Sequence, residues 1–337
     1  MSTSTAAIAI ASDDAGGRLD RWLKRRFPGL TQGQIQKWLR TGQLRVDGHR
    51  AKAGQRLDVG QIVRIPPSIS EVAASAGSRP EKSIPPRISD RDRDELLSRV
   101  LWRDDNVLAI NKPAGLAVQG GTGTTHHLDA MLDFLRFDAK ERPRLVHRLD
   151  RDTAGVLLLA RTARAATSLT EAFRTRAVRK LYWAAVVGLP KELQGLINLK
   201  ITKQMGRGGE KMVPDPEAGM HAETLYRVVE RAGRRVAWIA MEPLTGRTHQ
   251  LRVHTVAIGI PILGDGKYGG QAAFVDGDGF GRGLHLLART ICFPDLSGRM
   301  IEVTAPLPPH MSQTWNTLGF DEAMGSLEAD PFFGFEL

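Results

Sequence analysis

Cysteine is nearly absent from this chain. Of 337 residues only Cys292 carries a thiol, inside the apolar run Thr290-Ile291-Cys292-Phe293. A single thiol excludes an intrachain disulfide and any cysteine-rich metal site, and it suits a reducing cytoplasm. Long apolar runs are missing too: nowhere do the roughly eighteen consecutive apolar residues of a membrane span occur. Residues 1–11 have neither the basic start nor the apolar core of a secretory signal. A soluble protein without a membrane partner is expected. Acidic residues are in deficit, 37 Asp and Glu against 47 Lys and Arg, which leaves a net charge of +10 and a pI of about 10.0. With both signs abundant, that excess points to a polyanion, nucleic acid ahead of an acidic membrane surface.

The length suits two unequal domains. Residues 16–67 are compact and basic, with Arg18, Arg21, Lys24, Arg25, Arg26, Lys37 and Arg40 far outnumbering Asp20. Leu19, Trp22 and Leu23 at helical spacing predict a first helix over 18–27, stopped by Pro28-Gly29. Thr31 caps a second, which carries Ile35, Trp38 and Leu39 on one face and stops near Gly42. Strands are expected over 44–48 and 61–65. Residues 68–95, rich in Ser, Ala, Pro and Arg without periodicity, read as a linker. Strands and amphipathic helices fill 96–309, and 310–337 reads as an appended tail docked on the protein's own surface.

The most informative stretch is Leu145-Val146-His147-Arg148-Leu149-Asp150-Arg151-Asp152-Thr153-Ala154-Gly155, followed by the apolar run Val156-Leu157-Leu158-Leu159-Ala160. The apolar run predicts a buried strand, so the polar segment lies on a loop entering the core, where a rigid scaffold displays functional groups. On residue type alone, Asp150 and Asp152 also fit turn residues that cap backbone N–H groups. His147, His249 and His254 together with these carboxylates invite a zinc reading, but no Cys or His-Glu pair supplies the usual spacing. Lys112 and the glycines around Gly120 lack the Walker spacing and read as phosphate contacts to RNA.

Two resemblances organise these features. The helix-turn-helix and short sheet of 16–67 resemble the alpha-L RNA-binding domain of a small-subunit ribosomal protein and of several RNA-modifying enzymes. There Arg18, Arg21, Lys37 and Arg40 would neutralise phosphates, which gives affinity and orientation but little sequence information. The string His147-Arg148-Leu149-Asp150, continued through Gly155, matches the signature of the ribosomal large-subunit pseudouridine synthases, with Ala154 where Ser is commoner. Lys180-Leu181-Tyr182-Trp183-Ala184 resembles that family's strand with an active-site Tyr, and Thr245-Gly246-Arg247-Thr248-His249-Gln250-Leu251-Arg252-Val253-His254 its third motif. Asn111-Lys112-Pro113-Ala114-Gly115 fits as well. Val118-Gln119-Gly120-Gly121-Thr122-Gly123 and Arg64-Ile65-Pro66-Pro67 point to one branch of the family.

The resemblance implies an α+β catalytic domain, built on a mixed, mainly antiparallel sheet with a cleft across it. It implies isomerisation of uridine in large-subunit ribosomal RNA or its precursor. That reaction detaches the base and reattaches it through carbon 5, without redox change or an entering group, so no cofactor and no metal is expected. One anionic group must engage carbon 6 of the ring or carbon 1′ of the sugar, and a carboxylate suits either. The implied catalytic residues are Asp150, Tyr182 and Arg252. Arg252 lies on a helix over 249–258 capped by Thr248 and pairs with Asp150. Leu251 packs on the base, Arg148 fills the space vacated by the flipped nucleotide, and Arg247 binds RNA. On residue type alone, Arg252 also fits a helix surface, and Tyr182 and Leu251 a plain core. Two other functions fit the composition: a non-catalytic RNA-binding or ribosome-assembly factor, and a metal-dependent nuclease using Asp150 and Asp152. No obligate protein partner is implied, and a monomer is expected.

Overall fold

The structure, a computed structural model, describes residues 6–67, 69, 88–120, 124–206 and 209–325. Phe332, Phe333 and Phe335 of the expected tail, most of the expected linker and the motif residues 121–123 lie outside these. The chain divides into two compact units, Met1–Pro85 and Pro86–Leu337. Among the described residues no helix is long and apolar enough to cross a membrane.

The first unit contains strand β1 (Ala6–Ala9), helices α1 (Leu19–Arg26) and α2 (Gln32–Thr41), and strands β2 (Arg45–Val46), β3 (His49–Arg50) and β4 (Ile62–Ile65). The strands form an antiparallel sheet in the order β1-β4-β2-β3. The helices lay Leu19, Trp22, Leu23, Ile35 and Trp38 against it in one core. Helix α2 starts where its sequence says: Thr31 and Gln34 cap each other's backbone N–H groups, and Gly42 ends it at φ 70°. Two expectations need correcting. The strand over 44–48 is cut to Arg45–Val46, because Asp47 and Gly48 both take positive φ, 49° and 77°, and form the two-residue turn to β3. The domain begins before residue 16, since β1 pairs along β4 and Ile10 enters the core. An alanine-rich strand carries too weak a pattern to be read alone.

The second unit opens with α3 (Asp90–Ser98), β5 (Val100–Arg103), β6 (Val107–Lys112), α4 (Leu128–Met131), β7 (Arg144–Leu145), β8 (Ala154–Ala160) and α5 (Ala163–Arg174). It continues through β9 (Arg179–Val187), β10 (Gln194–Gly206), β11 (Gly209–Pro214), β12 (Met220–Ala232) and β13 (Val236–Pro243). It closes with α6 (Gln250–Ala257), β14 (Leu286–Pro294), β15 (Met300–Thr304) and α7 (Pro309–Leu318). Eleven strands form one sheet in the order β11-β10-β12-β13-β9-β14-β8-β6-β5, with β15 beside β14 and β7 beside β8. Among the described strands only the β8/β14 pair is parallel, so the unit is the mixed, mainly antiparallel α+β fold that the resemblance implies. At that crossing Gly155 is indispensable: its φ is 114°, and a Cβ there would stand 2.2 Å from the Ala288 carbonyl oxygen.

Alternation decides what each face of the sheet carries. Leu181, Trp183 and Ala185 of β9 join Trp238 and Ala240 of β13 under α5 and α7, in the larger core. Ala184, Val186, Ile239 and Met241 point the other way and pack against Leu251 of α6, with Tyr182 beside them. Two further expectations fail here. Residues 90–95 are not linker but most of α3, whose N-terminus Ser89 and Asp92 cap reciprocally and whose Leu96 is buried. Residues 310–325 are not an appended tail either. Met311, Trp315 and Phe320 enter the larger core, with Trp315 5.4 Å from Trp238 ring to ring. Pro at the start of α7 and Gly319 at φ 73° after it are ordinary helix punctuation that a linear reading passed over.

Candidate active site

All seven residues of β8 are buried, so the polar string before it is held at the mouth of the sheet. Leu149 anchors the loop in the core, and the Thr153 N–H closes a turn onto the Asp150 carbonyl. Two clamps fix the next residue: Gly115 N–H donates to the Arg151 carbonyl at 2.9 Å, and Lys112 Nζ donates to it at 3.0 Å. Lys112 also donates to the carbonyls of Pro113 and Leu116 and is fully buried, so it is no phosphate contact. It binds the 113–116 loop to the Asp150 loop from beneath. Burial pulls its ammonium down to about 7, against the opposing pull of Asp152 and Asp150. Replacing Lys112 with Met leaves the Arg151 carbonyl its bond from Gly115 but takes the donor from the part-buried Pro113 and Leu116 carbonyls, and an acceptor left unsatisfied costs about 1–3 kcal/mol. Chemical denaturation should show that loss, together with faster hydrogen exchange over 113–116 and 149–153.

Asp150 faces a cavity of about 680 Å³, into which Arg148, Tyr182, Arg247, Leu251 and Arg252 also project. The residues singled out from three separate motifs therefore converge. Arg148 is exposed at the rim. Tyr182, on β9, is partly buried beneath. Burial, and then the negative charge of Asp150, push its phenol above the ordinary range, so it keeps its proton at neutral pH. Leu251 belongs both to the cavity wall and to the core behind it. Arg247 is tied down, its Nε donating to the His221 carbonyl at 3.0 Å.

Arg252 departs from expectation. Its guanidinium binds Asp265 through two bonds, Nε to Oδ2 at 2.7 Å and Nη2 to Oδ1 at 2.6 Å, and not Asp150. Burial opposes its charge, but the Asp265 hydrogen bonds and charge outweigh that, with Asp150 adding to the same effect. Asp150 is thus an electrostatic neighbour of Arg252, and Asp265 its structural partner. The helix start also differs. The cap position is His249, in the left-handed region at φ 51° and without a side-chain cap, while Thr248 is exposed. That turn aims the His249 ring toward the site: Nδ1 lies 2.7 Å from the Tyr268 hydroxyl and Nε2 3.9 Å from Asp150 Oδ2. Gln250 fastens the turn. Its side-chain oxygen accepts from Thr245 Oγ1 and Arg247 N–H, and its nitrogen donates to the Glu223 carbonyl and Thr224 Oγ1.

The other two histidines of these motifs, His147 and His254, are neutral. His147 accepts the Leu158 N–H at 2.8 Å and stacks on Phe173 at 4.6 Å. Burial, with Lys180 nearby, takes its ring down to about 3, so it is neutral. Burial lowers His254 to about 4. Among the described residues no cluster of three His, Cys, Asp or Glu side chains is placed to hold a metal ion. The basic residues singled out in the first unit differ from one another. Arg21, Lys37 and Arg40 are exposed, whereas Arg18 is bound to Asp20 through Nε at 3.1 Å and Nη2 at 2.7 Å.

The cavity thus offers the Asp150 carboxylate, with Glu242 at its wall already bound by Arg179, a protonated phenol, an aliphatic wall and a cationic rim. That set suits a flat uncharged ring carried on a phosphate chain. Comparison with known proteins agrees. Residues 106–257 match the family model for RNA pseudouridylate synthase, and residues 17–63 match the S4 domain. Ribosomal large subunit pseudouridine synthase C of Escherichia coli (strain K12) is 35% identical over 309 residues, spanning 90% of this chain and 93% of that protein. RNA pseudouridine synthase 4, mitochondrial, of Arabidopsis thaliana is 32% identical, spanning 93% of this chain and 81% of that one. Among solved structures, Human RNA Pseudouridylate Synthase Domain Containing 4 superposes with a TM-score of 0.57 at 30% identity, over 67% of this chain and 95% of that one. On this identity across nearly the full length of its relatives, the chain belongs to the RNA pseudouridylate synthase family, as an isomerase with an S4 RNA-binding domain ahead of its synthase domain.

Proposed function

We propose that the chain converts specific uridines of large-subunit (23S) ribosomal RNA to pseudouridine in the cytoplasm, with Asp150 as the catalytic carboxylate. The observation that carries this reading is the convergence of Asp150, Tyr182, Leu251 and Arg252 on one cavity. The name shared by the bacterial relatives supports the choice of RNA. In the reaction the C1′–N1 bond breaks, a C1′–C5 bond forms, and one proton leaves C5 as one is gained at N1. Asp150 is the anion that engages ring or sugar while the base turns. Arg252, held charged by Asp265, lends the site a positive charge beside Asp150. Tyr182 supplies a flat face for the uracil, and Leu251 packs on its edge. Unstacking a uridine costs a few kcal/mol, and Arg148 at the rim fills the vacated place. Arg247 holds the RNA strand at the cavity. Arg21, Lys37 and Arg40 bind phosphates, with Arg18 held in place by Asp20. A single copy of the chain suffices, because every residue of the cavity comes from one unit.

The direct test uses the purified protein and an unmodified large-subunit RNA transcript, with a chelator present throughout. Defined uridines should become pseudouridine and the RNA should stay intact. Shortened RNA that appears only when a divalent metal is restored would instead identify a nuclease.

A further inference from the structure

His249 stands with its Nε2 3.9 Å from Asp150, and the proposed mechanism leaves it without a task. Its surroundings decide which ring nitrogen carries the proton. The Tyr268 hydroxyl already accepts from Met212 N–H of β11 at 3.1 Å, and its own single proton needs an acceptor. His249 Nδ1, at 2.7 Å, is that acceptor. The opposite arrangement would give Tyr268 a second donor, strand its proton, and turn the Nε2 lone pair toward the Asp150 carboxylate. Both counts favour a neutral ring with Nδ1 bare and Nε2–H directed at Asp150 Oδ2, 3.9 Å away. Such contacts commonly shorten when substrate closes a site. Tyr268 is itself fixed, its N–H on Asp265 Oδ1 at 3.2 Å and its ring 4.9 Å from the Arg252 guanidinium.

The geometry points to His249 as a positioning residue for Asp150: with its tautomer set by Tyr268, the ring presents Nε2–H to the carboxylate and holds it toward the uridine. This inference rests on the activity proposed above. The groups that bear on the ring are Asp150, Arg252, Lys267, Asp265 and Tyr268, with Lys211 of β11 5.9 Å from the Tyr268 ring. Burial, then Arg252 and Lys267, outweigh the two carboxylates and hold the imidazole below its ordinary value, so the neutral form persists at pH 7. Acid reverses this. An imidazolium beside Asp150 pairs with the anion and withdraws it from the substrate, which gives the rate an acid limb.

The experiment measures single-turnover pseudouridine formation by the full chain on the large-subunit RNA transcript, across pH, with RNA affinity measured separately. His249→Asn places an amide only where Nδ1 stood, whereas His249→Gln can reach the place of Nε2 with a nitrogen donor that does not titrate. The Asn variant should slow by about 10²-fold at little change in affinity, the scale of a misplaced catalytic group. The Gln variant should recover most of that rate and lose the acid limb. Tyr268→Phe removes a donor that favours the neutral ring, so its acid limb should move to higher pH. Asn and Gln variants as fast as the parent, or equally slow with the parent's pH profile, would overturn the positioning role. If the parent forms no pseudouridine while it binds the RNA, the proposed activity falls first and this inference with it.

Discussion

Asp150→Asn should bind RNA as the parent does, within about twofold, and form pseudouridine at least about 10³-fold more slowly, the scale on which loss of one essential catalytic group registers. The exchange keeps the shape of the side chain and removes only its charge. Little else in the loop depends on that charge. Leu149 is held by the core, the turn is closed through the Asp150 backbone carbonyl, and Arg151 is clamped by Gly115 and Lys112. The side chain is about one-fifth exposed, and its nearest ionisable neighbour, His249, is 3.9 Å away, so no buried bond is orphaned. An amide can neither attack carbon 6 nor trap carbon 1′, and the flipped base should sit in an intact but idle site. Single-turnover assays with a filter-binding control separate the two readouts. Full activity in this variant would remove the carboxylate from the mechanism, and equal loss of binding would mean that the loop had collapsed.

Local signals carried much of the fold. Thr31 and Gly42 bound α2 in the sequence because capping is settled within about four residues, and the run from Val156 to Ala160 predicts a buried strand, which the structure buries at every residue. The elements that escaped had no such signal. Ala6–Ala9 becomes a strand only because β4 offers it an edge, and α7 was hidden because its apolar residues meet Trp238 across the whole unit. The site divides in the same way. Asp150, Tyr182, Leu251 and Arg252 each sit in a short motif, and the structure brings them to one cavity. Asp265 and Tyr268 sit in a glycine-rich turn outside the motifs that the sequence analysis names, and their task appears only when α6 packs beside it. Resemblance supplied an ion pair between Arg252 and Asp150, and no rule of spacing favours Asp265, thirteen residues on, over another Asp. Lys112 was misjudged for a related reason: at a strand end a lysine looks solvated, and only the third dimension reveals three carbonyls around it.

That missed partner carries the largest expected effect on stability. Asp265→Ala should destabilise the second unit by about 3–5 kcal/mol, because it leaves the Arg252 guanidinium buried and uncompensated. Arg252 and Asp265 have side-chain exposures of 6% and 0%, so water cannot take the place of the lost carboxylate. The damage extends beyond the ion pair. Asp265 Oδ1 also accepts the Tyr268 N–H, and Tyr268 in turn holds His249. Activity should therefore fall along with stability. The double variant Arg252→Met with Asp265→Leu separates the two effects. Removing both charges relieves the burial penalty, so its denaturation midpoint should return toward the parent's, as replacement of a buried pair by apolar groups commonly permits. Its activity should not return, since Asp150 then loses the positive charge of Arg252 and Tyr268 loses the Asp265 carboxylate that accepts its N–H. Denaturant unfolding followed by tryptophan fluorescence reads the first quantity, because Trp183, Trp238 and Trp315 lie in the core of this unit. An active double variant would show that the pair serves the fold alone. An Asp265→Ala variant as stable as its parent would show that the buried guanidinium finds another acceptor when its own is gone.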